Sequence, residues 1–215
     1  MSNTVHAFEF LAKSPESVPP VVVLFGGESF LKRLATRSLR TVIVGDDDAP
    51  FTSLEGASTE WRDVVDELST MSLFGGDRRL VIVEAADSFV TKERARLETY
   101  VEKPRSSGVL ILDVGTWASN TRLYKAIDKI GLQIDCRAPE KAIGKRKVLD
   151  EATLCKWLIA WTKKQHNAKL ESIAAEQLLE IIGPEFGLLD QELSKLALFA
   201  GEGGKIDVQM VRDVV

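Results

Sequence analysis

Histidine is almost missing from this sequence. His6 and His166 are the only two in 215 residues. The first lies in an N-terminal stretch expected to be mobile, the second beside Asn167 near a helix end. That inventory argues against histidine acid–base catalysis, a Ser-His-Asp triad or a histidine-rich metal site. Cysteine is equally scarce. Cys136 and Cys155 are spaced for neither a zinc site nor a C-x-x-C redox pair. They read as two reduced, partly buried thiols in a cytoplasmic protein. No segment approaches the ~18 continuous apolar residues of a membrane helix. Residues 1–10 carry acidic and polar side chains and no signal-peptide apolar run. The expectation is a soluble, cytoplasmic protein that meets no membrane. A basic excess is absent too. The formal net charge of −4 disfavours a stand-alone nucleic-acid binder, though not DNA contact within an assembly.

What is present is the pattern of a folded α/β protein, with 45% apolar residues. Val21-Val22-Val23-Leu24-Phe25 is a continuous apolar run, as in a strand buried on both faces of a parallel sheet. Gly26-Gly27 makes a turn. Phe30, Leu31, Leu34, Ala35, Ser38 and Leu39 then recur at helical spacing, with Lys32, Arg33, Arg37 and Arg40 on the outer face. Residues 41–44 read as a second short strand. Trp61, Val64, Val65 and Leu68 form a helical stripe. Further core strands are expected at residues 79–83, 108–112 and 132–135. A charged, exposed helix is expected at 91–101 and another helix at 120–130. Such alternation predicts right-handed crossovers and a parallel sheet flanked by helices. Residues 140–147, with Gly144 and the basic cluster Lys145-Arg146-Lys147, read as a polar hinge. After it the pattern is only helical, in three or four segments. The expected division is therefore 1–143 and 144–215.

The first strand–turn–helix has the outline of a phosphate-binding loop without its chemistry. A P-loop needs four residues between its glycines, then Lys and Ser or Thr opening the helix. Here Phe25-Gly26-Gly27-Glu28-Ser29-Phe30-Leu31 has a shorter turn and no lysine after the second glycine. Glu28 sets a negative charge where a phosphate would lie, and is expected to satisfy the helix N-terminus itself. Other strand ends are equally poor in metal ligands. The strand at residues 79–83 runs into Glu84-Ala85, and Leu112 is followed by Asp113-Val114. The triplet Asp46-Asp47-Asp48 reads as a solvated turn closed by Pro50. No cofactor or metal is expected. Gly27-Glu28-Ser29-Phe30-Leu31 also lacks the last glycine of a nucleophile elbow.

Leu73 and Phe74 stand out for the opposite reason. If the helix near residue 60 continued at 100° per residue, they would fall roughly 120–140° away from its apolar stripe. Gly75-Gly76-Asp77 then breaks the chain. The pair is either a plug folded under the sheet or an exposed anchor for a partner's pocket.

Three stretches carry a resemblance. They are Leu24-Phe25-Gly26-Gly27-Glu28-Ser29-Phe30-Leu31, then Met71-Ser72-Leu73-Phe74 before Arg78-Arg79-Leu80-Val81-Ile82-Val83, and Leu178-Leu179-Glu180-Ile181-Ile182-Gly183 with Leu189-Asp190-Gln191-Glu192-Leu193. Together they resemble the delta subunit of the bacterial DNA polymerase III clamp loader. The resemblance implies an AAA+-type α/β domain with a degenerate phosphate loop, a small all-α lid and a C-terminal helical collar. No counterpart of the collar is expected in this sequence, which reads either as a chain trimmed at a domain boundary, the preferred reading, or as an unusually short homologue. The resemblance implies binding to the beta sliding clamp without ATP hydrolysis. Ser72, Leu73 and Phe74 would be its clamp-binding tip, with Met71 supporting, which favours the exposed reading of the pair. It also implies gamma/tau and delta prime as partners, and DNA reached through the assembly. The chain itself would not be an enzyme, although the polymerase III holoenzyme is a nucleotidyltransferase. Two other readings stay open: a degenerate ATPase or phosphotransferase, and a DNA-binding module using Arg33, Arg37, Arg40 and residues 145–147.

Overall fold

A computed structural model describes residues 3–13, 15–45, 51–69 and 78–215. Its first unit, Met1–Arg137, is built on six strands among the described residues. These are β1 (Thr4–His6), β2 (Val21–Phe25), β3 (Thr52–Glu55), β4 (Arg79–Glu84), β5 (Gly108–Val114) and β6 (Leu132–Asp135). All neighbours pair in parallel, in the order β1-β6-β2-β5-β4-β3. The connecting helices are α1 (Ala7–Ala12), α2 (Ser29–Val44), α3 (Trp61–Ser69), α4 (Asp87–Lys92), α5 (Arg94–Glu102) and α6 (Arg122–Ile130).

The continuous apolar runs are buried because both faces of the sheet are covered. Val21, Val23 and Phe25 share one face with Val81, Val83, Leu110 and Leu112. There they pack with Val64 and Leu68 of α3, Leu97 and Tyr100 of α5, and Ile127 of α6. Val22, Leu24, Ile82 and Ile111 alternate to the other face, where α2 lies against β2 and β4. After β2 the chain crosses to the far edge at β3, while β6 adds on the opposite side. This makes the carboxyl end of β2 a topological switch point, where open α/β sheets hold their ligands. The architecture is an AAA+-like α/β sheet.

Several expectations are corrected. Residues 41–44 are not a strand. They complete α2, whose buried residues Leu31, Ala35, Leu39 and Ile43 form one stripe up to the left-handed cap at Gly45. The β-branched run misleads because helical burial at every fourth residue outweighs local propensity. His6 is not in a mobile stretch. Its strand pairs with β6, its Nδ1 accepts from Phe8 N–H at 3.2 Å, and its Nε2 lies 3.0 Å from the Arg137 carbonyl. The helix expected at 91–101 is two helices, and its supposedly exposed residues include buried Leu97, Tyr100 and Val101. Strand β3 was not anticipated.

The second unit, Ala138–Val215, opens with a hairpin where a hinge was expected. Strands β7 (Glu140–Ile143) and β8 (Arg146–Leu149) pair antiparallel. Gly144, at φ +61°, turns the chain between them. A division at 143/144 would cut this hairpin, so residues 138–143 belong to the second unit. The rest is helical: α7 (Glu151–Gln165), α8 (Ser172–Ile182), α9 (Phe186–Ala200) and α10 (Val208–Val214). The two-residue strands β9 (Lys169–Leu170) and β10 (Lys205–Ile206) pair in parallel. Leucines at helical spacing make its core. Leu154, Leu158, Leu178, Leu189, Leu193 and Leu196 are fully buried, and Trp157 stacks on Trp161 at 5.4 Å. Asp190 links two helices by accepting from Trp161 Nε1 at 2.7 Å and His166 Nε2 at 2.8 Å.

Candidate functional site

Two places compete as the functional centre of the first unit. One is the switch point after β2, the other the connection from α3 to β4.

At the switch point the turn is closed against its own chain. Gly26 has φ +120°, and a Cβ there would lie 2.6 Å from the Cys136 carbonyl carbon and 2.7 Å from Arg137 Cγ. Only glycine tolerates both the conformation and the approach. The Glu28 N–H donates to the Cys136 carbonyl at 3.0 Å, and the Cys136 N–H donates to the Phe25 carbonyl at 2.7 Å. An amide that a phosphate loop would aim at a ligand is therefore used inside the protein. Glu28 is the N-cap residue of α2, but its side chain makes no capping hydrogen bond. That corrects the expectation that its carboxylate satisfies the helix end.

The lysine missing from the turn is supplied one helical turn later, and nothing in its spacing pointed to it. Lys32 Nζ donates to Asp113 Oδ1 at 2.5 Å and to the Val114 carbonyl at 2.8 Å. The two side chains are only 13% and 29% exposed. So the carboxylate that ends β5 faces an ammonium. Glu84, at the end of β4, accepts from the Ser53 hydroxyl at 2.5 Å. Ala85 follows it in the left-handed region at φ 46°. Asp87 accepts from the Gly115 N–H at 2.8 Å and from the Thr116 N–H and hydroxyl at 3.0 Å. Burial works to raise its pKa, but these hydrogen bonds outweigh it and hold the carboxyl below its usual range. The acids around this cleft of about 720 Å³ are thus engaged by protein donors. Below it, burial pushes the Cys136 thiol up to about 12, against the pull of nearby Lys32. Both cysteines are buried and unpaired, and a thiol held protonated is a poor nucleophile.

At the other place, Met71, Ser72, Leu73 and Phe74 lie outside the described residues, as does the triplet at 46–48. The flanks of the segment 70–77 are described, and both are pinned. Trp61 opens α3 packed on Phe89 and Tyr100, with ring centroids 6.5 and 5.3 Å apart. Val64 and Leu68 are fully buried. At the helix end the Ser107 hydroxyl donates to the Leu68 carbonyl at 3.0 Å. Leu68 sits so close to Gly108 that a Cβ on that glycine would be 2.7 Å from Leu68 Cδ2. On the far flank the Arg78 guanidinium donates to the carbonyls of Val18 and Gly108. Burial lowers its pKa from the ordinary arginine value, partly offset by Tyr100. These anchors were not legible beforehand, because serine, glycine and arginine outside a motif carry no positional signal.

Comparison with known proteins supplies independent findings. A family model described as DNA polymerase III, delta subunit, matches residues 23–137. No curated protein sequence matches the chain. Among solved structures it is similar to the Bacillus subtilis DNA clamp loader delta protein, at TM-score 0.75 and 22% identity, over 97% of this chain and 61% of that one. It is also similar to the Thermotoga maritima RuvB Holliday junction branch migration motor, at TM-score 0.47 and 12% identity, over 96% and 65% of the two chains. A Thermotoga maritima DNA polymerase III gamma subunit-related protein matches at TM-score 0.47 and 16% identity, over 88% and 58%. The chain spans less than two thirds of the length of each of these structures.

Proposed function

The chain belongs to the DNA polymerase III delta subunit family, and from that premise we propose that it binds the ring-shaped sliding clamp and holds one interface of the ring open. The contact is made by Ser72, Leu73 and Phe74, with Met71 supporting. The observation that supports this reading is the pinning of both flanks of segment 70–77 to the core of the sheet. A short segment fixed at both ends loses less freedom on binding than a free tail.

The mechanism is binding without chemistry. Burial of one leucine and one phenylalanine contributes about 3–6 kcal/mol before ordering costs. That energy opens the ring only insofar as the open clamp is bound more tightly than the closed one. ATP-driven control resides in neighbouring gamma/tau and delta prime subunits, and DNA is reached through the assembly. The chain acts in the cytoplasm and hydrolyses no ATP itself. The self-closed turn at Gly26 and the Lys32–Asp113 pair favour this over a degenerate ATPase. The double variant Leu73→Ala/Phe74→Ala loses clamp binding in a titration while its circular dichroism and melting temperature are unchanged. An unaltered clamp affinity in that variant overturns the assignment.

A further inference from the structure

A surface that the proposed clamp contact does not use is the β7–β8 hairpin that opens the second unit. It carries four cations, Lys141, Lys145, Arg146 and Lys147, against one carboxylate, Glu140, in a chain whose net charge is −4. Residues 140–148 are all exposed. The register pairs Lys141 with Val148 and Ile143 with Arg146. Directly opposed residues of an antiparallel pair share a face. One face of the ribbon therefore presents Lys141, Arg146, Ile143 and Val148 together, with Lys145 in the turn. Ile143 is 61% exposed there, an aliphatic side chain left among cations. On the other face Lys147 is held by Glu140 at 3.3 Å; on the first, Lys141 is only loosely near Asp150 at 3.9 Å. Lys145 and Arg146 make no ion pair and no side-chain hydrogen bond among the described residues. Two exposed cations without a carboxylate partner at the tip of a two-stranded ribbon make a small positive patch that a polyanion complements. A ribbon of this width also enters a DNA groove.

We propose that the β7–β8 hairpin is a contact for the phosphate backbone of duplex DNA, with Lys145 and Arg146 meeting phosphates and Ile143 lying against sugar. Its contribution is sequence-independent and salt-dependent, because each phosphate neutralised releases condensed counterions. The hairpin shares no residue with 71–74, so the proposal stands whether or not those residues bind the clamp.

The test is fluorescence anisotropy of the full chain with a labelled 20-base-pair duplex across a salt series starting at about 50 mM. The expected result is that Lys145→Glu/Arg146→Glu binds at least tenfold more weakly at low salt. The slope of log affinity against log salt should fall by about two. The milder Lys145→Gln/Arg146→Gln moves both readings in the same direction and guards against a folding defect. Lys163→Glu/Lys164→Glu, the same charge change on α7, should retain binding and slope. Leu73→Ala/Phe74→Ala should also retain DNA binding, which separates the two assignments. The proposal is overturned by an absence of salt-dependent binding in the parent chain, or by equal losses in the hairpin and α7 variants. It is also overturned if polyglutamate competes as well as DNA at matched charge, since the hairpin is then a site for an acidic protein.

Discussion

Lys32 and Asp113 form an ion pair at the switch point, where open α/β sheets commonly hold ligands. Each would be a poorly solvated charge without the other, because both are largely buried at the carboxyl end of the sheet. Removing one partner leaves the other stranded, which costs more than the pair contributes. Lys32→Met should therefore destabilise the first unit by about 1–3 kcal/mol. Adding Asp113→Asn should recover part of that loss, so a double-mutant cycle followed by urea unfolding reads a coupling clearly different from zero. Cys136 makes a pH prediction. Its folded pKa of about 12 stands above the ordinary 9.0. Between those values the folded state keeps a proton that the unfolded state has lost. Its contribution is thus complete below about pH 9 and declines as pH rises towards 12. Burial raises Tyr100 in the same direction. In Cys136→Ala, stability should fall less steeply over this window, with Tyr100 carrying the remaining slope, as read from urea midpoints at successive pH values.

At the scale of elements, α3 matters more for where it ends than for its length. Its apolar stripe holds the helix on the sheet. Ser107, Gly108 and Arg78 then fix where the chain leaves and re-enters. A side chain at position 108 would push on Leu68 and shift that exit. Gly108→Val should lower the melting temperature, consistent with an overpacking cost of about 1–3 kcal/mol. It should also weaken clamp binding several-fold without touching residues 71–74. Full clamp affinity in this variant would mean that the anchoring of α3 does not position the tip. The helical stripes and apolar strand runs of β2, β4 and β5 were readable because burial on both faces leaves a plain pattern. Strand β1 and the β7–β8 hairpin were not, because their residues are short, polar or charged and pairing alone makes them strands.

At the scale of the whole molecule, the first unit keeps an AAA+-like sheet while its switch point is taken up by the chain's own groups. The Glu28 amide goes to Cys136, Asp113 to Lys32, and Glu84 to Ser53. The proposed clamp binding should therefore be indifferent to nucleotide. Saturating Mg-ATP in the titration cell should leave the affinity for the clamp unchanged within error, and calorimetry with Mg-ATP alone should give no saturable heat. A nucleotide-dependent affinity would show that the turn can open.

The sequence by itself determined the alternation of strands and helices and the helical second half. It also showed that the turn after β2 lacks the lysine and glycine spacing of a phosphate loop. These are local properties: periodicity reports burial, and a motif reports backbone geometry over a few residues. The tertiary structure alone decided what fills the vacated place. Lys32 and Asp113 are 81 residues apart in the chain, and Gly26 meets Cys136 only because β6 lies beside β2. The same holds for the pinning of α3 by Ser107 and for the ribbon at residues 140–149. Each depends on which segments the sheet order and chain pairing bring together, and no short stretch of sequence encodes that.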